Sequence, residues 1–136
     1  MDQNFDLSKY ELQETASLKI RNAKDDDYLR GIDGEPVVFE LYGPGSEQYA
    51  RATHVMSNKA TVRAQAAIRG KAVTNQSEQS ELDQVERLAA CTAKISANFP
   101  VSAQDVYVNR RLSYIRDQVE RFINDNANFS KASLSN

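Results

Sequence analysis

Apolar and polar residues alternate over two short segments in the first third of the chain. Residues 16–21 read Ala-Ser-Leu-Lys-Ile-Arg, the two-residue period of a half-buried strand. Residues 37–42 are rich in β-branched and aromatic side chains, which favour a second strand. Asp33 and Gly34 lie between them and form a dipeptide suited to tight turns. We therefore predict a small antiparallel β-hairpin, and because two strands alone are marginal in water, a helix must cover one face.

Farther along the chain, apolar residues recur at three- and four-residue steps, the period of amphipathic helices. The first helix is predicted from Ser46, an N-cap residue, to Gly70, a glycine suited to the position after a helix end. Residues 71–80 are polar and are predicted to form a loop. The second helix is predicted over residues 81–98 and the third over residues 103–124, whose apolar stripe is the cleanest of the three.

These elements predict an α+β fold that is mainly α-helical, with an N-terminal β-hairpin followed by three amphipathic helices. Residues 1–15 hold few apolar side chains to offset the entropy of ordering, so we expect a flexible arm. Residues 16–124 are predicted to form a single globular domain, and residues 125–136, rich in Asn, Ser and Ala, a flexible tail. A chain of 136 residues suits one domain, since each half would have a marginal core.

Charge is distributed unevenly. The chain has 17 Lys and Arg against 19 Asp and Glu, a net charge of -2 that gives no uniform attraction to phosphate and disfavours a general nucleic-acid binder. Within residues 46–71, however, five bases stand against Glu47 alone, so the first helix is basic. We expect this face to meet an acidic surface on another protein or on a second copy of the chain. An RNA-binding face is a weaker alternative, because Tyr49 is the only aromatic residue there.

The sequence also predicts where the protein resides. The longest apolar run, residues 36–39, is far shorter than the ~20 residues that span a bilayer, so we expect no membrane segment. Residues 1–10 are polar and mixed in charge, so we expect no signal peptide. A cytoplasmic protein is the resulting prediction.

Side chains with catalytic or metal-binding chemistry are few. Cys91 and His54 are the only cysteine and histidine, too few for the usual Cys/His zinc sites. We interpret Cys91 as a packed structural thiol and His54 as a partly buried or solvated side chain, with a partner contact as the alternative for His54. No pair of carboxylates is placed for acid-base work. We therefore predict that the protein is not an enzyme and has no cofactor or metal.

Two segments resemble ligand sites superficially. The aspartates at residues 25–27 suggest calcium, but their spacing does not match the twelve-residue calcium loop, and a solvated loop is the simpler interpretation. Residues 43–46, Gly-Pro-Gly-Ser, resemble a phosphate-binding loop. They lack its lysine, and Pro44 removes a backbone donor, so a plain strand-to-helix turn explains them.

Several short motifs together resemble the tail assembly chaperone-like proteins of long-tailed bacteriophages. The motifs are residues 37–49, in which a strand runs through Gly-Pro-Gly-Ser into a helix, then residues 98–106, 114–119 and 128–129, in this order and spacing. The resemblance covers roughly residues 16–131. Tyr114 stands where a tryptophan is expected in relatives, which leaves its packing role intact.

The resemblance implies a non-enzymatic phage assembly factor in the host cytoplasm. Such a protein binds the tape-measure protein and keeps its apolar helices soluble while tail-tube subunits polymerise around it. The alternatives are a structural virion component, such as a head-tail or tail-tube adaptor, and a small nucleic-acid-binding regulator that uses the basic helix. We expect partner contacts through Tyr49, Arg51, Lys59 and Arg63 on the first helix, Tyr107, Arg111 and Tyr114 on the third, and Phe129 in the tail.

Overall fold

A three-stranded antiparallel sheet and the helices around it form the structure, a computed structural model that describes the backbone of residues 6–70 and 76–131 and the side chains of residues 6–70 and 79–131. Within these residues the strands are β1 (Thr15–Lys19), β2 (Val38–Tyr42) and β3 (Thr92–Ile95), and the helices are α1 (Glu47–Ile68), α2 (Gln76–Ala90), α3 (Ala103–Val108) and α4 (Ser113–Ile123). Short 3-10 turns lie at Leu7–Tyr10, Arg110–Leu112 and Asn126–Phe129. The predicted fold class, α+β and mainly α-helical with N-terminal strands, is confirmed.

The sheet has the order β1-β2-β3, with β2 in the centre. Both neighbours of β2 run antiparallel to it. Ser17 of β1 lies opposite Glu40 of β2, and Glu40 lies opposite Lys94 of β3. The turn predicted at Asp33 and Gly34 is present, and Gly34 has the positive φ of 82° that glycine tolerates best. Both predicted strands are confirmed, whereas β3 was not predicted.

The core lies between one face of the sheet and helices α2, α3 and α4. Phe39 on β2 is fully buried, and its ring centroid is 6.3 Å from that of Tyr107 on α3. The other fully buried side chains of the core are Ile20, Val37, Leu41, Val85, Leu88, Cys91, Val106, Ile115, Val119, Ile123 and Phe129. Because α4 repeats its buried residues every four positions, it lays one continuous apolar stripe on the core.

The first helix is where the sequence predicts it. The side chain of Ser46 accepts a hydrogen bond from the backbone N–H of Tyr49, and α1 begins at the next residue, Glu47. Gly70 follows the helix end with a φ of 74°. Ala52 is the one residue of this 22-residue helix that is buried, so most of α1 projects from the core.

The predicted second helix is wrong at both ends. It begins at Gln76, inside the predicted loop, of which residues 71–75 lie outside the described part of the chain. It ends at Ala90 rather than at residue 98, because residues 92–95 pair with β2 as β3. The hydroxyl of Thr92 donates to the backbone carbonyl of Leu88 at 2.9 Å and closes the last turn of α2. The helical spacing of apolar residues continues past Ala90, so the sequence does not show where α2 ends. The pairing of β3 with β2 shows it.

The predicted third helix, residues 103–124, is also wrong as one continuous helix. It is divided at Asn109 into α3 and α4, with a 3-10 turn between them. The side-chain oxygen of Asn109 accepts a hydrogen bond from the backbone N–H of Arg111 at 3.0 Å. Asparagine competes in this way with helical hydrogen bonding, which explains the break.

Parts of the predicted arm and tail pack against each other. The backbone N–H of Gln13 donates to the carbonyl of Phe129 at 2.7 Å, and Leu12 packs on the core. The ring of Phe129 meets that of Phe122 edge-on, with centroids 5.4 Å apart. Gly43 lies against this ring so closely that a Cβ atom there would overlap it. Residues 1–5 and 132–136, the outer parts of the predicted arm and tail, lie outside the described residues.

Candidate functional site

A groove of about 220 Å³ runs between α1 and α2. Its lining residues are Gln48, Arg51, Ala52, Val55, Met56 and Lys59 from α1, and Asp83, Glu86, Arg87 and Ala90 from α2. Its buried members are Ala52, Asp83 and Arg87, and Val55 and Met56 are apolar members that keep exposed surface. We call this space the α1–α2 groove.

Small side chains create the groove. Ala52 and Ala90 line it from opposite helices, and neither side chain extends beyond Cβ, so space remains between the two backbones. Val55 is 40% exposed and Met56 is half-buried, so both present apolar surface to that space. Apolar surface in a groove between two helices is the usual form of a site that takes an amphipathic helix.

Two ion pairs join the helices where the groove ends. Lys59 Nζ lies 2.5 Å from Glu86 Oε2, and Arg63 Nη2 lies 2.5 Å from Asp83 Oδ2. The hydrogen bond to Glu86 raises the pKa of Lys59 above its ordinary value. The side chain of Asp83 is only 7% exposed, so water screens the second pair much less than the first. The basic face of the first helix thus meets acidic residues on α2 of the same chain.

Arg87 lies at the base of the groove and connects three helices. Its Nη1 donates to both carboxylate oxygens of Glu120, at 3.2 and 3.0 Å, and its Nη2 donates to Asn124 Oδ1 at 3.2 Å. The guanidinium also lies 5.1 Å from the ring centroid of Tyr49, whose hydroxyl donates to the same Asn124 oxygen. No local pattern in the sequence pairs Arg87 with an acid 33 residues away, so this network is not predictable from the sequence alone.

The structure brings together the predicted contact residues of α1 and separates the others. Arg51 and Lys59 line the groove. Arg63 lies one turn farther along α1 and pairs with Asp83 of α2. Tyr49 packs beside Arg87 at the base of the groove. Arg111 is exposed in the 3-10 turn before α4. Tyr114 lines a separate polar hollow of about 240 Å³.

Two predicted contact residues, Tyr107 and Phe129, are fully buried and present no surface to a partner. The Tyr107 hydroxyl lies 2.7 Å from the hydroxyl oxygen of Thr92, and burial raises the pKa of Tyr107 above its ordinary value. Both aromatic rings therefore belong to the core. Burying an aromatic ring removes a large apolar area from water, and this favourable free energy explains why both side chains lie in the core.

The remaining chemical candidates are structural. Cys91 is fully buried, which raises its pKa to about 11, so the interpretation as a packed thiol is confirmed. The aspartates of residues 25–27 are exposed, and two of them form ion pairs with Arg21 and Arg30. Residues 43–46 form the predicted strand-to-helix turn. Among the described residues there is no group of three or more His, Cys, Asp or Glu side chains that could hold a metal ion.

The described helices include none long and apolar enough to cross a membrane. Comparison of the chain with protein-family models, curated proteins and solved structures gives no significant match. The α1–α2 groove is the candidate site, and this assignment depends on its geometry alone.

Proposed function

We propose that this protein is a non-enzymatic phage assembly factor, a tail assembly chaperone that binds the tape-measure protein in the host cytoplasm. The α1–α2 groove is the surface that takes an apolar helix of that protein. The observation that carries the proposal is the apolar surface that Ala52, Val55, Met56 and Ala90 present in this groove, with charged side chains of both helices beside it. The motifs at residues 37–49 and 98–106 give the proposal its phage context.

The groove suits a helix with large apolar side chains. Because its apolar lining consists of alanines, Val55 and Met56, a leucine- or phenylalanine-sized side chain from the partner fills the space that these residues leave. A tape-measure protein exposes apolar helical stripes of this kind until the tube encloses it.

Co-expression with the tape-measure protein tests the proposal. We expect the wild-type chain to raise the soluble yield of that protein and to co-purify with it. Val55→Asp replaces apolar surface of the groove with a carboxylate and should abolish co-purification, because removing this group from water against an apolar partner is costly even beside Arg51 and Lys59. Val101→Asp changes a valine of similar exposure, 43%, outside the α1–α2 hairpin and should leave binding intact. Equal capture by the two variants would contradict the groove assignment.

Mass spectrometry of purified virions distinguishes the alternatives. A chaperone leaves the particle and should be scarce there, whereas an adaptor should be present in stoichiometric amount. For the regulator, the ion pairs of Lys59 and Arg63 leave fewer free cations for phosphate. We expect no gel shift of single-stranded RNA or DNA at micromolar protein, and a shift that weakens steeply with salt would favour the regulator instead.

A further inference from the structure

We propose that the free edge of β1 binds an extended acidic segment of another protein, which adds to the sheet as a further strand. The free edge consists of the backbone N–H and C=O groups of Thr15, Ser17 and Lys19. It shares no lining residue with the α1–α2 groove, so the inference goes beyond the proposed function and does not rest on it.

The register of the sheet turns these three residues outward. The Gly43 N–H donates to the Glu14 carbonyl at 2.9 Å, and the Ile20 N–H donates to the Val37 carbonyl at 3.0 Å. Such bonds fall on every second residue of an antiparallel strand, so the odd-numbered residues of β1 direct their N–H and C=O groups away from β2. β1 is an outer strand of the sheet, and the described part of the chain places no strand beyond it.

Both ends of this edge are hydrogen-bonded, and the stretch between them is not. At one end the Gln13 N–H donates to the Phe129 carbonyl at 2.7 Å. At the other end the Arg21 N–H donates to Gln118 Oε1 at 2.7 Å, and Gln118 Nε2 donates to the Arg21 carbonyl at 2.9 Å. Among the described residues, no group bonds the edge between these ends. An extended segment can exchange up to about six hydrogen bonds there, whereas a helix uses its backbone groups internally.

A shallow hollow of about 280 Å³ lies beside the edge, between the end of β1 and α4. Leu18 and Phe122 are its apolar lining residues, and both are half-buried. Leu18 belongs to the core side of β1, since Ala16 and Ile20, two residues before and after it, are buried. The added strand can set an apolar side chain against Leu18 and Phe122, and its next side chain then lies on the other face of the sheet beside Lys19.

Cations without an ion-pair partner favour an acidic segment. Lys19 and Arg121 line the hollow and are exposed, and neither forms an ion pair with any residue that the structure describes. Lys19 Nζ lies 5.7 Å from the ring centroid of Tyr28, and Arg121 Nε donates to a backbone carbonyl of its own helix at 3.4 Å. The third cation of the lining, Arg21, already pairs with an aspartate, and Asp125 is the one acid of the lining. A carboxylate opposite Lys19 gains a cross-strand ion pair, whereas β1 of a second copy would bring like charges together.

Fluorescence anisotropy of the full chain with a labelled peptide that alternates valine with glutamate tests the inference. We expect a dissociation constant on the order of 10–100 µM, because a short strand must lose its conformational freedom on binding. A matched peptide with lysine in place of glutamate should bind at least about tenfold more weakly. Equal binding of the two peptides, or no binding of the glutamate peptide at millimolar protein, overturns the inference.

N-methylation of the peptide tests the backbone hydrogen bonds on the wild-type chain. One version carries methyl groups on the glutamate amides, and the other carries them on the valine amides. In an added strand, alternate amides face β1 and the others face solvent. One version should therefore lose at least about tenfold in affinity and the other should keep it. Equal binding of the two versions contradicts strand addition.

Ser17→Pro tests the same bonds from the side of the protein. Proline removes the outward N–H of residue 17, and an outer strand tolerates it because the bonds to β2 come from the even-numbered residues. Peptide affinity should fall at least about tenfold, whereas Ser17→Thr keeps the N–H and should bind as the wild type does. Circular dichroism checks that both variants fold, and the methylated peptides decide the matter if the proline variant does not. Unchanged binding by a folded Ser17→Pro overturns the inference, and a wild-type dimer that this substitution abolishes would assign the edge to a second copy instead.

Discussion

Arg87 is the residue on which the base of the groove depends. It is 7% exposed, and its guanidinium holds Glu120 and Asn124 of α4 while it stacks on Tyr49 of α1. A buried charge of this kind is tolerated only while its partners remain, because removing one partner leaves the other charge without compensation. The position of α1 relative to α4 is therefore coupled to this side chain, together with the direct hydrogen bond from Tyr49 to Asn124.

Arg87→Ala should lower the free energy of unfolding by about 2–4 kcal/mol. The loss should be smaller than for a fully buried ion pair, because the Glu120 side chain is 32% exposed and regains some hydration when Arg87 is removed. Urea denaturation followed by circular dichroism measures the change. Arg51→Ala is the control, since its pair with Glu47 is 68% and 75% exposed and should contribute less than about 1 kcal/mol. Equal losses in the two variants would contradict the central role of Arg87.

Cys91 should be unreactive in the folded protein. Its pKa of about 11 leaves roughly one thiol in a thousand ionised at pH 8, and the thiolate is the form that reacts. Because burial excludes the reagent as well, iodoacetamide at pH 8 should label Cys91 only through opening of the fold. Labelling in urea should be complete, and mass spectrometry reports both conditions. Rapid labelling of the native protein would show that the thiol is accessible and would contradict its place in the core.

At the scale of elements, the sequence predicted the helix ends that are set by residues next to them in the chain. Ser46 and Gly70 bound α1 correctly because a cap and a positive φ depend on the residue itself. The end of α2 at Ala90 depends instead on β2, more than 40 residues earlier in the chain, which pairs with residues 92–95. Strand pairing of this kind overrides a helical apolar period, and a single sequence carries little trace of it.

Ser46→Ala should lower the free energy of unfolding by about 1–2 kcal/mol. The Ser46 side chain accepts from the Tyr49 N–H at 3.1 Å and donates to the Gly43 carbonyl at 2.8 Å, so alanine removes both the helix cap and the link to β2. Thermal or urea denaturation measures the change. Ser57→Ala, at an exposed position inside α1, is the control and should be neutral or slightly stabilising. A neutral result for Ser46→Ala would mean that α1 does not depend on its cap.

At the scale of the whole molecule, the charge asymmetry of the sequence predicts an acidic partner surface for α1, which stays a prediction, and did not show that α1 pairs with acids of its own chain. The basic residues of α1 do meet acids, yet Lys59 and Arg63 find them on α2 of the same chain. Composition reports how many charges a segment carries, and only the hairpin geometry decides which of them pair internally. The groove escaped sequence analysis for a related reason, since Ala52 and Ala90 form it only when the two helices meet.

Stability should be distributed unevenly between the core and the outer half of α1. Residues 57–68 of α1 have no buried member, whereas Ile115, Val119 and Ile123 of α4 are fully buried. Opening the outer half of α1 exposes little new apolar area, so its amides should exchange with solvent at least about tenfold faster than those of residues 115–123. Hydrogen exchange with mass spectrometry measures both segments in dilute protein. Equal protection of the two segments would mean that the outer half of α1 is as rigid as the core.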